Sequence, residues 1–213
     1  MKNFIVIGLG RFGLCVAKQL SALGHDVLAV DKNQACISEI ADTVARAIIG
    51  DASDASVTES LGVRNFDAAI VGAGDDLEAS VMITALLKEN GAPYIVAKAK
   101  NAMHGKILSK VGADRIVYPE EEMGERVARQ LSNTGLVDML ELSGSCSVAE
   151  IVVPEKWVGK TIRELNVRAK YGVNIIAVKS GEIFDVQFSP DIILKKEHVL
   201  VLIGDNQAID KIR

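Results

Sequence analysis

The first thirty-one residues constrain the fold of this chain more than any other stretch. An apolar run, Phe4-Ile5-Val6-Ile7, leads directly into Gly8-Leu9-Gly10-Arg11-Phe12-Gly13 and then into an amphipathic helical pattern. In a strand–turn–helix of this kind the first glycine permits the tight turn, the second lets the backbone approach a pyrophosphate, and the third lets the helix pack on its strand. Gly8, Gly10 and Gly13 stand at those positions, so phosphates would face backbone N–H groups at a helix N-terminus, with Arg11 and Phe12 in its first turn. A second apolar run, Val27-Leu28-Ala29-Val30, ends at Asp31, about twenty residues beyond Gly10, where a carboxylate accepts from a ribose 2′-OH and disfavours the 2′-phosphate of NADP. Lys32 beside it would instead tolerate that phosphate, and Asn33 is uncharged, so Asp31 alone holds the ribose from this segment. Scattered glycines mean little, but a glycine triplet between strand and helix, with the acid in register, points to nucleotide or dinucleotide binding.

The chain has 213 residues, enough for one large domain or two modest ones, and the patterning below favours two. Net charge is −4 and Lys and Arg are dispersed, which argues against a nucleic-acid partner. Cys15, Cys36 and Cys146 have no metal-type spacing and read as buried thiols of a reducing cytoplasm. The opening apolar run is too short for a signal-peptide core, and no stretch approaches the ~20 apolar residues that span a bilayer, so a soluble chain is expected. Its apolar residues are mainly Ala, Val, Ile and Leu with few aromatics, as in a parallel sheet buried on both faces.

Beyond the first unit, apolar runs alternate with helical patterns. Strands are expected at Ala45–Ile49, Ala68–Gly72, Tyr94–Ala97 and Arg115–Tyr118, and helices at Asn33–Ala41, Ser53–Leu61, Asp75–Asn90 and Asn101–Val111. That alternation predicts an α/β fold, a Rossmann-like doubly wound parallel six-stranded sheet complete at Tyr118. Such sheets bind ligands beyond the carboxyl ends of their strands, which places Asp31, Asp51, Gly74 and Lys98 on one rim. Pro119 opens a connecting, or crossover, helix that ends at a turn around Asn133-Thr134-Gly135. From Val137 the period changes: Leu140–Leu142, Ser147–Val153, Val173–Lys179 and His198–Ile203 read as strands, with short helices near Thr161–Leu165 and Gln207–Ile212. The expected organisation is residues 1–134, the nucleotide-binding domain with its crossover helix, and residues 135–213, a small α+β domain that is marginal alone and pairs with a second copy.

Several residues on the rim carry two readings. Arg11 lies beside the phosphates and suits a third phosphate, or one held by a neighbouring subunit; otherwise it is a solvated arginine. Gly50-Asp51-Ala52 follows the third strand where adenine would lie, and Ala73-Gly74 the fourth, near ribose and phosphates. Ordinary turn chemistry, with Asp51 or Ser53 capping a helix, explains the same residues. Lys98 either adds charge to the rim or is solvated. Glu120, Glu121 and Glu122 follow a proline at a helix start, where acids suit the helix dipole; alternatively a carboxylate there completes the oxygen shell of Mg²⁺ or Ca²⁺ on a nucleotide's phosphates. His25, His104 and His198 are scattered, no catalytic constellation stands out, and a dehydrogenase's substrate domain is missing. A non-enzyme is therefore expected, with a small NAD-dependent oxidoreductase or a free-standing NAD(H) redox sensor as the alternative.

Together with Gly112-Ala113-Asp114-Arg115, Tyr118-Pro119-Glu120 and Leu165-Asn166-Val167-Arg168-Ala169-Lys170-Tyr171-Gly172, these motifs resemble a known family. The chain is similar, nearly end to end, to the KtrA-type cytoplasmic regulatory subunits of Ktr/Trk bacterial potassium uptake systems, with an RCK N-terminal (KTN, TrkA-N) domain and an RCK C-terminal (TrkA-C) domain. The resemblance implies an octameric ring built from dimers that docks on a separate membrane potassium-translocating subunit and switches it according to bound ATP or ADP, with NAD(H) an alternative ligand. It implies that Arg11 touches a γ-phosphate at the dimer interface, Asp31 the ribose, Asp51 and Ala52 the adenine, and that Glu120 binds a divalent cation between subunits. It further implies a cyclic di-AMP site at Ile162, Val167, Arg168, Asn174, Ile175 and Pro190, of which the apolar members equally suit a dimer core.

Overall fold

A computed structural model describes residues 1–74, 76–132 and 136–212. Asp75, expected to open a helix, and the expected turn at Asn133-Thr134-Gly135 lie outside the described residues. Packing divides the chain into two compact units, Met1–Glu121 and Glu122–Arg213.

In the first unit β1 (Asn3–Ile7), β2 (Asp26–Asp31), β3 (Arg46–Ile49), β4 (Ala68–Val71), β5 (Ile95–Lys98) and β6 (Arg115–Val117) form a sheet of order β3-β2-β1-β4-β5-β6. Every pairing is parallel. The helices α1 (Arg11–Ala22), α2 (Gln34–Ile40), α3 (Ala55–Ser60), α4 (Leu77–Glu89) and α5 (Ala102–Lys110) connect the strands, and α6 (Pro119–Ser132) follows β6. The strands read as unbroken apolar runs because alternate side chains enter different cores. Ile5, Ile7, Val30 and Val71 pack with Ile83 and Leu87 of α4 and Leu108 of α5. Val6, Ala29 and Ile70 pack with Ala17 of α1 and Ile37 and Ile40 of α2. This is the doubly wound sheet expected from sequence, with element ends shifted by a residue or two.

Side-chain caps start four of these helices and fix where strand-to-helix turns end: Asn33 accepts from Ala35 N, Asp54 from Ser56 N, Asp76 from Ala79 N and Asn101 from His104 N. The cap of α3 is thus Asp54, not Asp51 or Ser53. Asp51 instead folds back on Ser53, taking its N–H at 3.0 Å and its hydroxyl at 2.6 Å.

In the second unit β7 (Leu136–Ser143), β8 (Cys146–Val152), β9 (Asn174–Ser180), β10 (Ile183–Asp185) and β11 (His198–Asp205) form a sheet of order β10-β9-β11-β8-β7. All of its pairings are antiparallel. Ile151, Leu200 and Leu202 of the sheet pack with Trp157, Leu165, Leu194, Ile209 and Ile212. The helix expected near Thr161–Leu165 is α7 (Ile162–Leu165), and a further short helix that was not expected, α8 (Val167–Tyr171), follows it, the two separated because Asn166 sits in the left-handed region at φ 44°. Thr161 and Glu164 form a reciprocal capping box that starts α7, and α9 (Asn206–Asp210) closes the described chain.

Candidate functional site

A cleft opens at the carboxyl ends of β1 to β4, lined by Gly8, Asp31, Lys32, Gly50, Asp51, Ala52, Ala73 and Asp76 among others; this is the position of a ligand site in such a sheet. Its floor is held by Asp31, which accepts from Leu9 N at 2.5 Å and from Asn33 N at 2.8 Å. The carboxylate therefore ties the glycine loop to the end of β2 and still has lone pairs for a hydroxyl. Asp51 lies across from it, its carboxyl held below the usual range by the two Ser53 hydrogen bonds, with Lys32 contributing charge.

The start of α1 differs from the four capped helices. Its N-cap is Gly10, with no side-chain cap and no acid in the first turn, and its first intrahelical bond runs from Leu14 N to Gly10 O. The N–H groups of Arg11, Phe12 and Gly13 are thus the orphan donors of a helix start, and the charged residue among them is a cation, opposite to what the helix dipole alone favours. Both features fit an anion. A Cβ on Gly10 would have nothing within 4 Å, so the space over these donors is open. A Cβ on Gly13 would fall 2.0 Å from Gly8 O and one on Gly8 2.6 Å from Ala73 N, so those two glycines serve close packing. Phe12 presents its backbone here, while its ring packs against the core beneath α1.

Three charged residues complete this end of the rim. Lys98 lays its stem along Gly74, so that a Cβ on Gly74 would meet Lys98 Cδ at 2.8 Å, and its ammonium lies 2.8 Å from Glu120 Oε1. Glu120 is held below the usual carboxylate range by that Lys98 hydrogen bond, with Arg11 adding to the effect. Among the described residues no group of three or more His, Cys, Asp or Glu is placed to hold a metal. One exposed carboxylate suits a Mg²⁺-like cation only if it arrives on phosphate oxygens, a common way for such cations to bind.

In the second unit an open groove is lined by Ile162, Val167, Arg168, Asn174, Ile175 and Pro190, together with Arg163, Asn166, Val173 and Phe188. All six positions named for a cyclic dinucleotide thus come together on α7, α8, β9 and the loop before β11. Arg163 is engaged by Asp191 at 2.6 and 3.1 Å.

Sequence reasoning missed Asp76, Arg163 and Phe188 as lining residues; only the Asp76 cap pattern was there to be read. It also missed Gly72, whose Cβ would fall 2.4 Å from Gly8 O. The cysteines need correction. All three are free, but Cys15 is exposed, on the outer face of α1, and Cys36 and Cys146 are half-buried, Cys36 at the edge of a core and Cys146 at the first position of β8. His104 is the deeply buried histidine, its Nε2 2.8 Å from Ser80 Oγ and its Nδ1 accepting from Lys100 N at 3.2 Å.

Residues 4–119 match the TrkA-N domain and residues 148–213 the TrkA-C domain. Over 210 residues the chain is 43% identical to Ktr system potassium uptake protein C of Bacillus subtilis (strain 168), covering 99% of this chain and 95% of that protein. It is 40% identical to Ktr system potassium uptake protein A of the same organism, with the same coverage. Among solved structures it is similar to the GsuK channel bound to NAD, with a TM-score of 0.69 at 21% identity, over 99% of this chain and 39% of the channel chain; this last likeness is one of fold.

Proposed function

The chain belongs to the KtrA-type family of Ktr/Trk potassium uptake proteins, a TrkA-N domain followed by a TrkA-C domain, and we propose that it is a non-enzymatic, nucleotide-sensing subunit of a potassium transporter. The observation that carries this reading is the uncapped start of α1, with Arg11 in its first turn, beside a cleft whose floor is Asp31. An adenine nucleotide would place its base by Asp51 and Ala52, its ribose on Asp31, and its phosphates over Gly10 and the N–H groups of residues 11–13. Gly8 and Gly13 shape that loop, Ala73 and Gly74 border it, and Lys32 screens the two acids. Arg11 would reach the γ-phosphate of a nucleotide across a dimer interface. Glu120 would hold Mg²⁺ or Ca²⁺ carried on the phosphates, which supplies positive charge between carboxylate and phosphate.

A ligand shifts a conformational equilibrium only through contacts that differ between the two states. ATP and ADP differ by one charged group, and Arg11 and Glu120 are the residues able to read it. The switch acts on a membrane potassium-translocating subunit, on whose cytoplasmic side the chain assembles as dimers in an octameric ring. The groove of the second unit takes cyclic di-AMP, with Arg168 and Asn174 for phosphate and ribose and Ile162, Val167, Ile175 and Pro190 against the bases. No helix of the described residues is long and apolar enough to cross a membrane.

Calorimetric titration of nucleotide-stripped protein with ATP, ADP, NADH and NAD⁺, each with and without Mg²⁺ or Ca²⁺, tests the reading. Tight ATP and ADP binding, with ATP selectively strengthened by the cation, supports it. Tight binding of NADH alone, indifferent to cations, favours a redox sensor or an NAD-dependent oxidoreductase, and substrate-dependent NADH turnover decides for the latter.

A further inference from the structure

The ammonium of Lys98 and the carboxylate of Glu120 are unequal partners. The Lys98 side chain is 9% exposed and that of Glu120 63%, and the lysine stem is wedged along Gly74. The cation is therefore the fixed member of the pair and the carboxylate the movable one. Gly74 follows Ala73, which lines the cleft and abuts Gly8. This run of contacts puts the lysine at the glycine-loop end of the cleft, where the orphan donors of α1 face outward. Arg11, at the start of α1, lies close enough for its charge to act on Glu120.

We propose that Lys98 is a phosphate-binding residue for which Glu120 and the terminal phosphate of a nucleotide compete, so that phosphate arrival releases the first turn of α6 from β5. A largely buried ammonium must keep an anionic partner, but it does not discriminate which one. A terminal phosphate offers more charge and more acceptor oxygens than a carboxylate. With no divalent cation between them the two anions also repel each other, so the exposed carboxylate is displaced; a cation carried on the phosphates draws it back. Glu120 is the second residue of α6, so its release frees the end of the helix at which the chain leaves the sheet. The inference rests on the nucleotide-site reading and adds to it a residue that senses phosphate through loss of an ion pair.

The test uses the full chain in EDTA, with adenosine, ADP and ATP as probes. Calorimetry gives affinities, and hydrogen exchange follows the amides of the first two turns of α6. ATP is expected to speed that exchange by about tenfold and adenosine to leave it unchanged, because only a phosphate competes for Lys98. Glu120→Gln, an exposed and nearly isosteric change, should tighten ATP about tenfold without altering adenosine affinity, and should leave α6 exchange fast with or without ATP. Lys98→Met should weaken ATP about tenfold and remove the ATP effect on α6. If Glu120→Gln leaves ATP affinity at the wild-type value, or ATP leaves α6 exchange unchanged, the competition is overturned although the nucleotide site stands. If wild type binds none of the three probes, the nucleotide-site reading itself fails. A purely structural tether would lower stability in both variants while leaving the ratio of ATP to adenosine affinity as in wild type.

Discussion

Gly10 and Gly13 stand three residues apart, yet their side-chain positions are occupied by different things. At Gly13 a Cβ collides with the Gly8 carbonyl at 2.0 Å, whereas at Gly10, with φ −64°, it meets nothing within 4 Å. Gly13→Ala is expected to destabilise the protein by about 1–3 kcal/mol or more, because the loop backbone has to move. Gly10→Ala should leave the urea midpoint within experimental error and weaken ADP and ATP about tenfold or more, because its methyl fills the space the phosphates need. Equal effects of the two variants on stability would remove the distinction. Arg11 is exposed at the start of α1, so Arg11→Ala is expected to weaken ATP binding more than ADP binding in the presence of Mg²⁺. Equal losses, measured by calorimetry, would rule out a γ-phosphate contact.

The contact between α4 and α5 includes one neutral imidazole beside the apolar packing of Leu87 and Leu108. Because His104 Nδ1 accepts from Lys100 N–H, the ring hydrogen lies on Nε2 and is donated to Ser80 Oγ. Burial, reinforced by the charge of Lys100, pushes the pKa of His104 below the ordinary histidine value. In the unfolded chain the ring takes up a proton as pH falls through about 6.5, while the folded chain resists, so this contribution is full above that pH and declines below it. Urea denaturation followed by far-UV circular dichroism between pH 7.5 and 5.5 should show stability falling with pH in wild type. His104→Gln should flatten that slope while lowering stability at pH 7.5; an unchanged slope would assign the pH dependence to other groups. The starts of α2 and α5 were legible at this scale because their caps, Asn33 and Asn101, are short polar residues just ahead of apolar periodicity, whereas at α3 and α4 neighbouring polar residues compete and the caps, Asp54 and Asp76, fall one residue beyond the expected starts. The break between α7 and α8 was not legible, since Asn166 enters the left-handed region only in its packed context.

Among the described residues each unit has its own core packing and its own candidate ligand cleft, which makes the two ligand classes separable by measurement. The single tryptophan, Trp157, belongs to the core of the second unit, 5.7 Å from Tyr171. Its fluorescence therefore reports that unit. A ligand that binds only the folded form stabilises by about 2.7 kcal/mol at a hundred times its Kd. Cyclic di-AMP at that level is expected to raise the fluorescence-detected melting temperature, and Arg168→Ala to abolish the rise. No shift in wild type would leave the groove without this ligand. The parallel sheet was foreseeable because its two-faced burial leaves unbroken apolar runs; the extent of β7 and the short β10 were not, because one-sided antiparallel strands mix polar and apolar residues.

By itself the sequence determined whatever depends on residues close together in the chain: the glycine loop and its acid, the caps at Asn33 and Asn101, the alternation of strand and helix, and from these the fold class and the end of the sheet where ligands of such sheets bind. Those features follow from local sterics, hydrogen bonding and hydrophobic period, which a few neighbouring residues specify. Only the tertiary structure decided which distant residues meet. Lys98 and Glu120 become partners because β5 and β6 pair in parallel, Val117 alongside Lys98, so that the chain leaves β6 into α6 beside the lysine. Arg168 and Pro190 share a groove because α8 and the loop before β11 converge on β9. Such meetings depend on strand register and helix packing summed over the whole core, and no local motif carries that information.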